Sequence, residues 1–179
     1  AREVGRDEIR EPILQHNGLP VPTSVDQLSW TATLAKDRRR LVLRWALLVA
    51  CMVGIFAVSS LSGGTVSGTV TSAPGPSSLS FRLAFAHVVE FGVLALLAYR
   101  LFAAYGLRPA VYLWMATLVL AIGYAATDEL HQAFVPGRVP AWSDLGYDSV
   151  GAVAGLAFGD VMERLHRAVV GARRRLDPD

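Results

Sequence analysis

The chain has 179 residues, of which 53% are hydrophobic and only 18% are charged, and its mean hydropathy is +0.38. This composition is too apolar for an ordinary soluble domain and excludes a largely disordered protein. Cys51 is the only cysteine, which excludes an internal disulfide and the paired cysteines of a structural zinc site. The net charge of +2 gives no reason to expect a nucleic-acid partner.

Residues 1–40 are polar and precede the first apolar run. Their acidic and basic side chains nearly balance, and we expect a mobile cytosolic tail with one short helix at most. Because about forty polar residues come before the first apolar run, that run does not resemble a cleavable secretory signal. We interpret it as a membrane anchor that is retained.

Four apolar runs follow, and each approaches the length of about 20 residues that crosses about 30 Å of hydrocarbon as a helix. They cover residues 41–61, 83–102, 109–127 and 145–165. The fourth run is the weakest, because its acidic residues leave only residues 149–159 free of charge. The sequence therefore predicts an all-α fold, with a bundle of four transmembrane helices over residues 41–165 and a basic cytosolic tail over residues 166–179.

The basic residues predict how this bundle is oriented. They collect before the first run, between the second and third, and after the fourth, whereas the opposite side has only Arg82 and Arg138. This bias predicts a multi-pass protein of the cell membrane with both termini in the cytoplasm. The loop over residues 62–80 is rich in Gly, Ser, Thr and Pro, and we expect a flexible surface connection there, with a lid as the alternative.

Ionisable side chains inside a membrane are expensive, so a group of them at one depth indicates a site. Three of the predicted helices bring such residues to the level of the outer leaflet, and the turn before the fourth helix adds an arginine. The set consists of His87, Glu90, Asp128, Glu129, His131, Gln132, Arg138, Asp144 and Asp148. The spacings of three from His87 to Glu90 and of four from Asp144 to Asp148 put each pair on one helix face.

The residues around Arg138 predict the conformation of the turn that carries it. The Pro-Gly pair at residues 136–137 predicts a tight turn in which glycine supplies a positive φ, and Ser143 is the predicted N-cap of the last helix. Arg138 would then be held on a short, stiff loop. Its guanidinium can clamp Glu129 or Asp144, or it can bind a phosphate or carboxylate from outside.

Structural roles compete with functional ones for several of these residues. His87 and Glu90 can form a hydrogen-bonded pair that locks two helices, and Asp148 can pair with Arg138 or with a neighbouring helix. No HExxH motif is present, so we expect neither a metal ion nor another cofactor.

Glycines recur every four residues in the fourth run, at Gly151, Gly155 and Gly159. Small residues at this spacing let helix backbones approach closely, and helix packing explains them better than a ligand groove. The same stripe is where we expect a homo-oligomer to form, if the chain forms one.

Two stretches of the sequence resemble the VanZ-like membrane protein family. Residues 123–155, GYAATDELHQAFVPGRVPAWSDLGYDSVGAVAG, resemble that family's DE-x-HQ segment, F-x-PGR turn, Asp before the last helix and Asp-small-small-Gly run. Residues 87–100, HVVEFGVLALLAYR, resemble its upstream motif, a His followed three residues later by Glu and an aromatic. The resemblance implies a polytopic membrane protein related to one that lowers susceptibility to the glycopeptide teicoplanin.

Carried over by position, the resemblance marks the same nine polar residues and leaves three hypotheses. The first is a binding or modulating protein of the cell envelope. Its partner would be a membrane lipid such as a polyprenyl-linked cell-wall precursor, and its ligand-binding residues would be Arg138, Gln132, Asp144 and Asp148.

The second hypothesis is an intramembrane hydrolase or transferase that acts on a lipid-linked substrate. His87 or Glu129 would be the general base, and the further catalytic candidates are Glu90, Asp128 and His131. The third is purely structural and makes the polar set an ion-pair lock between helices. A transporter is less well supported, because four helices form a thin wall and no broken helix or repeat is evident.

Overall fold

The computed structural model describes residues 24–65, 79–107 and 110–176. These residues contain no β-strand and form four long helices: α1 (Ser24–Ser59), α2 (Leu79–Ala104), α3 (Ala110–Gln132) and α4 (Trp142–Leu176). The predicted all-α fold is therefore confirmed. The chain divides into two compact units, Ala1–Arg40 and Leu41–Asp179, and the packing described below lies within the second.

Two of the sequence predictions concern residues that lie largely outside this description. Most of the predicted N-terminal tail falls on residues 1–23, and most of the loop rich in Gly and Ser falls on residues 66–78. Residues 24–40 are helical and continuous with the first apolar run. This part of the predicted tail is therefore the first half of a long helix.

Three helices are long and apolar enough to cross a membrane. They are Asp37–Ser59 within α1, Phe81–Ala104 within α2, and Ala110–Gln132, which is the whole of α3. Over its described length, α4 does not meet the same criterion, and its charge-free stretch is confined to residues 149–159. The prediction of membrane-crossing helices is thus supported for the first three runs, whereas a fourth crossing stays a prediction.

The helix boundaries near the predicted turn differ from those expected. α3 continues past the apolar run that ends at 127 and includes Gln132, because the residues after Thr127 are compatible with a helix and the next proline is Pro136. α4 begins at Trp142, so Ser143 is inside its first turn and its hydroxyl donates to Asp144 Oδ1 at 3.2 Å. The prediction of Ser143 as the N-cap is therefore wrong.

The end of α4 also differs from the prediction. The helix runs on to Leu176, so residues 166–176 extend it and do not form a separate tail. This extension is held by ion pairs one turn apart, Arg164 with Asp160 at 2.7 Å and Arg167 with Glu163 at 2.9 Å. Such pairs favour a helix over an extended basic tail.

The contact between α2 and α4 is more extensive than the contact of either helix with α3. Gly155 lies against the backbone of Gly92, and Gly159 lies against the ring of Tyr99, so residue numbers rise together along both helices and the two run parallel. A Cβ atom at Gly155 would meet the Gly92 carbonyl group, which explains the glycine stripe as helix packing. Because the stripe faces α2 of the same chain, a second copy would need a different surface.

α1 and α3 also run parallel to each other. The Tyr124 hydroxyl of α3 donates to the Met52 carbonyl of α1 at 2.6 Å, and the Ser59 hydroxyl of α1 donates to Asp128 Oδ2 of α3 at 2.7 Å. These contacts advance in the same direction along both helices. The C-terminal ends of α1 and α3 therefore lie together.

At the opposite end, the first part of α1 meets the last part of α2. Arg44 Nη1 donates to the Arg100 carbonyl at 3.1 Å, and Trp45 Nε1 donates to the Tyr105 hydroxyl at 2.8 Å. α1 and α2 are consequently antiparallel. The four helices alternate in direction, so the C-terminal ends of α1 and α3 share one end of the bundle with the N-terminal ends of α2 and α4.

The core of this bundle is small and its exterior is apolar. Its main cluster combines residues of α1, α2 and α3, namely Leu48, Ile55, Phe91, Leu94, Ala98, Leu101 and Ala125. A second contact consists of three alanines, Ala95, Ala121 and Ala152, which let α2, α3 and α4 approach closely. Many large apolar side chains point outward instead, such as Val42, Val53 and Val119. An exposed apolar surface of this extent is typical of a protein surrounded by lipid.

The α2–α4 contact predicts opposite effects for the same substitution at two helical glycines. Gly155→Ala should lower the free energy of unfolding by about 1–3 kcal/mol, because the new methyl group meets the Gly92 backbone. Gly123→Ala is the matched control, since nothing lies within 4 Å of a Cβ atom there. It should be neutral or stabilise by up to about 1 kcal/mol. Thermal melts of the detergent-purified proteins measure both effects, and equal melting temperatures would contradict the close packing.

Candidate functional site

The predicted polar residues of α2, α3 and α4 meet at the shared end of the bundle. This end, called the polar end below, is defined by Ser59, His87, Glu90, Asp128, Glu129, Gln132, Arg138, Asp144 and Asp148. Alternating helix directions explain the meeting, because the first turns of α2 and α4 and the last turns of α1 and α3 are brought to one level. The predicted convergence thus has a simple topological cause.

His87 and Asp148 form the central contact of the polar end. His87 Nδ1 lies 2.8 Å from Asp148 Oδ1, and His87 Nε2 lies 3.9 Å from Asp144 Oδ2. Asp148 is only 1% exposed. The parallel register of α2 and α4 creates this contact, since His87 and Asp148 lie just before the glycine stripe that joins the helices. Asp148 therefore pairs with a neighbouring helix, and its partner is His87 and not Arg138.

Asp128 accepts hydrogen bonds from one hydroxyl donor and one amide donor. Its Oδ2 accepts hydrogen bonds from Ser59 Oγ at 2.7 Å and from Gln132 Nε2 at 2.8 Å, and all three residues are buried. Asp128 and Gln132 are four residues apart because α3 continues through the DELHQ segment, which puts them on one helix face. Gln132 thus positions Asp128 from its own helix while α1 reaches it from the side.

Glu129 fastens the loop between α3 and α4. Its Oε2 accepts a hydrogen bond from the Ala141 backbone N–H at 2.9 Å, directly before α4 begins. Gly137 adopts φ +74°, as the tight turn requires, and the Pro136 carbonyl accepts the Gly63 N–H at 3.3 Å. The predicted glycine turn is confirmed, and the loop that carries Arg138 is held at both of its sides.

Arg138 clamps neither of the carboxylates that were predicted as its partners. Within the described ranges, no ion pair of 4.0 Å or less joins it to an Asp or Glu, and its Nε is buried without a hydrogen bond. Glu129 is engaged by Ala141, and Asp144 lies beside His87. Glu90 is within electrostatic range of Arg138 but makes no ion pair with it. Of the two predicted roles for Arg138, the clamp on Glu129 or Asp144 is wrong.

The remaining predicted pairs also differ from the structure. Glu90 is half-buried and lies within electrostatic range of His87, yet His87 directs its hydrogen bond to Asp148. The predicted His87–Glu90 pair is therefore not formed. His131 faces α1, where its Nε2 lies 3.0 Å from Ser60 Oγ and its ring stacks on Phe56 with centroids 4.3 Å apart.

Buried polar atoms without partners are concentrated at this end. Four of them belong to the polar end: Asp128 Oδ1, Glu129 Oε1, Arg138 Nε and Asp148 Oδ2. Nearly all buried polar atoms in folded proteins have a hydrogen-bond partner, so each such atom calls for an explanation. Three acceptor atoms and one donor atom without hydrogen-bond partners at the same end of the bundle are typical of a site that binds a polar ligand.

Comparison with known proteins agrees with the motifs that these residues carry. A family profile described as VanZ/LLP1 matches residues 45–162. The chain belongs to the VanZ/LLP1 family. The matched stretch includes every residue of the polar end. No curated protein and no solved structure matches the chain.

In this VanZ/LLP1 chain an apolar groove adjoins the polar end. Its volume is about 340 Å³, and it lies between the end of α3 and the start of α4. Leu130, Trp142 and Leu145 line it, and Glu129 is its charged residue. Because the Trp142 side chain is 88% exposed, the groove is open along one side. Glu129 therefore borders both the groove and the polar end.

The donor set does not suit a metal ion. Among the residues that the structure describes, no group of three or more His, Cys, Asp and Glu side chains could hold one. His87, the best-placed imidazole, already directs Nδ1 to Asp148. The side chains of the polar end can form hydrogen bonds, pair charges and transfer protons.

Two serines at the end of α1 were missed by the sequence analysis. Ser59 is buried and bonds Asp128, and Ser60 lies within hydrogen-bond distance of His131. Neither serine is ionisable, so neither was among the energetically costly residues on which the prediction was based. The signal that would have found them is depth, because they lie at the C-terminal end of the first apolar run, level with the predicted polar set.

The geometry predicts which polar residues stabilise this member of the family. His87→Ala should lower the free energy of unfolding by about 3 kcal/mol or more, because it leaves both oxygens of the buried Asp148 without a partner. Arg138→Gln should have a much smaller effect, since no ion pair is lost. Melting temperatures in detergent test the contrast. A larger loss of stability in Arg138→Gln than in His87→Ala would show that the stabilising contact is not the one between His87 and Asp148.

Proposed function

We propose that this protein is a multi-pass protein of the cell membrane that binds the head group of a phosphate-bearing lipid at its polar end. A polyprenyl-linked cell-wall precursor is the ligand class, and lower susceptibility to glycopeptides such as teicoplanin is the outcome in the cell. The observation that carries the proposal is Arg138, whose buried Nε makes no hydrogen bond and whose guanidinium has no ion-pair partner among the described carboxylates. A guanidinium in this position matches the geometry of a phosphate.

The other unpaired atoms fit the same class of ligand. Asp128 Oδ1, Glu129 Oε1 and Asp148 Oδ2 are acceptors, so they require donors such as the hydroxyl or amide groups of a sugar. Arg138 Nε is a donor and requires an acceptor, which a phosphate supplies. A lipid-linked sugar phosphate presents both kinds of group within one head group, whereas a simple fatty acid presents only acceptors. Gln132 and Asp144 complete the proposed contact surface.

The apolar groove supports a ligand with a hydrocarbon chain. It lies beside Glu129 and is bordered by Leu130 and Trp142, which are largely exposed. A chain lying there would be in contact with apolar side chains while its head group reached the polar residues next to them. This juxtaposition of a polar cluster and an apolar groove is the usual arrangement of a lipid site.

The proposed topology has four crossings and places both termini in the cytoplasm. α4 runs parallel to α2 from the level of His87 and Asp148 to the level of Tyr99 and Gly159, and α2 is long and apolar enough to span. A helix packed along a spanning helix over this length crosses most of the membrane with it. The excess of arginines at the other end of the bundle then puts the polar end outside.

Cysteine labelling tests this topology in a Cys51→Ala background. Val139→Cys, at the polar end, should react with an impermeant maleimide added to intact cells. Ala104→Cys, at the end of α2, and Leu176→Cys, at the end of α4, should both be protected until the membrane is opened. Labelling of Leu176→Cys together with Val139→Cys from outside would contradict a fourth crossing.

The lipid proposal is tested by Arg138→Gln at matched protein levels. The variant should bind a labelled polyprenyl phosphate sugar about tenfold or more weakly than the wild type, because one charge-assisted contact is lost. Cells that express it should lose the difference in teicoplanin susceptibility that the wild type confers. Arg173→Gln, which removes the same charge far along α4, is the matched control. Unchanged binding and susceptibility in Arg138→Gln would reject the proposal.

An intramembrane enzyme is the second candidate, and the His87–Asp148 contact favours it. An imidazole oriented by a buried carboxylate through Nδ1 is the usual arrangement of a general base. The test is turnover of a labelled envelope lipid by the purified protein. Glu129→Gln retains an acceptor for the Ala141 N–H but cannot take a proton, so it should abolish turnover and preserve binding if Glu129 is catalytic. Binding without turnover in the wild type would support the first function over this one.

A further inference from the structure

A second charged cavity lies at the end of the bundle opposite the polar end. Its volume is about 430 Å³, and α1, α2 and α4 contribute to its wall. Three basic residues line it, one from each helix: Arg44, Arg100 and His166. None of them belongs to the polar end, so the cavity is independent of the function proposed above.

The basic side chains of this cavity lack carboxylate partners. Arg44 Nη1 donates to the Arg100 carbonyl at 3.1 Å, and neither guanidinium makes an ion pair of 4.0 Å or less within the part of the chain that the structure describes. Two positive charges thus line one cavity. Such an arrangement favours an anion between them.

The acidic residues nearby are already engaged. Glu163 lines the cavity, but its Oε1 accepts a hydrogen bond from Arg167 at 2.9 Å. Asp160 accepts hydrogen bonds from Arg164 at 2.7 Å and from the Tyr99 hydroxyl at 3.1 Å. The positive charge of the cavity is therefore not balanced from within α4.

Two features place the cavity at the boundary of the membrane. Arg44 lies three residues after the first apolar run begins at 41, and Arg100 lies near the end of the candidate span Phe81–Ala104. The hydrogen-bonded pair of Trp45 and Tyr105 is at the same level, where amphipathic aromatic residues prefer to lie. The guanidinium groups are consequently at the depth of lipid head groups.

The wall of the cavity becomes apolar toward the middle of the bundle. Leu96 and Phe158 line this part, Met162 lines the next turn of α4, and Phe158 and Met162 are exposed on the outer surface of α4. A ligand that fills the cavity would therefore meet two cations at one end and a hydrocarbon-like surface at the other. A free inorganic anion would use only the first of these.

We propose that this cavity binds the phosphate group of an anionic membrane lipid. Arg44 and Arg100 hold the phosphate through their planar guanidinium groups, and an acyl chain lies along Leu96, Phe158 and Met162. Arginine suits the role because its fork of donors matches phosphate oxygens. Basic pockets between membrane helices are a common way of selecting anionic head groups.

Thermal stabilisation of the full-length protein in detergent tests the proposal. Phosphatidylglycerol, phosphatidylcholine and inorganic phosphate are titrated separately, and the concentration that gives half of the maximal rise in melting temperature is compared. The half-maximal concentration of phosphatidylglycerol should be at least about tenfold lower than that of phosphatidylcholine. Equal concentrations for the two lipids, or full stabilisation by inorganic phosphate alone, would overturn the proposal.

Two double variants locate the site. Arg44→Gln/Arg100→Gln should lose the preference for phosphatidylglycerol, whereas Arg173→Gln/Arg175→Gln should keep it, because those residues are outside the cavity. Both variants remove two positive charges from the same end of the bundle. Should the first variant fail to fold, Arg44→Lys/Arg100→Lys keeps the charge and should weaken the preference by removing the planar fork. Equal loss of preference in the first double variant and its control would assign the effect to general charge and contradict the site.

Discussion

The close approach of α2 and α4 determines how both ends of the bundle are built. Gly92 and Gly155 allow the two backbones to touch, and this contact fixes the parallel register of the helices. In that register His87 meets Asp148 on one side of the contact, and Tyr99 meets Asp160 on the other. Side chains larger than hydrogen at these glycines would separate the helices and break both pairs. These two polar contacts thus depend on a contact that contains no polar side chain.

Packing of this kind is expected where water supplies no hydrophobic driving force between helices. Surrounded by lipid, apolar side chains gain little by turning inward, and helix association relies on close backbone contact and on hydrogen bonds between helices. The three alanines Ala95, Ala121 and Ala152 extend the same principle to α3. The large apolar residues are left for the exterior, where they contact acyl chains. The small core and apolar surface are therefore two results of one environment.

The parts of the structure that could be predicted are those that depend on composition and depth. The apolar runs predicted the first three membrane helices, and the alternating direction of the helices predicted that His87, Asp128 and Asp148 would meet. Partner choice could not be predicted, because it depends on the rotation and register of each helix. A rotation of α4 by about one residue turns a side chain through roughly 100°, enough to exchange one partner of His87 for another.

The ends of the helices were hard to predict for a different reason. The third apolar run ends at 127 because charged residues follow, yet charge does not end a helix; a proline or a cap does. Continuing to Gln132 is what stacks Gln132 below Asp128 and turns Glu129 toward Ala141. Ser59 was overlooked for a related reason. Placing a serine hydroxyl in a membrane costs little free energy, so the residue does not indicate a site until its hydrogen-bond partner is known. The Asp128 carboxylate and the Gln132 amide could both be predicted from the sequence, whereas the Ser59 donor could not.

The two ends of the bundle would place different demands on the ligands proposed for them. The polar end has unpaired acceptors on Asp128, Glu129 and Asp148 and an unpaired donor on Arg138, so a ligand there must supply hydrogen-bond donors as well as an anion. The cavity at the other end has two guanidinium groups, and the nearby carboxylates are already paired, so an anion alone satisfies it. A lipid with a sugar head group fits the first set of atoms, and a simple anionic phospholipid fits the second. Because the ends differ in the kind of unpaired atom and not only in charge, one lipid would not satisfy both equally well.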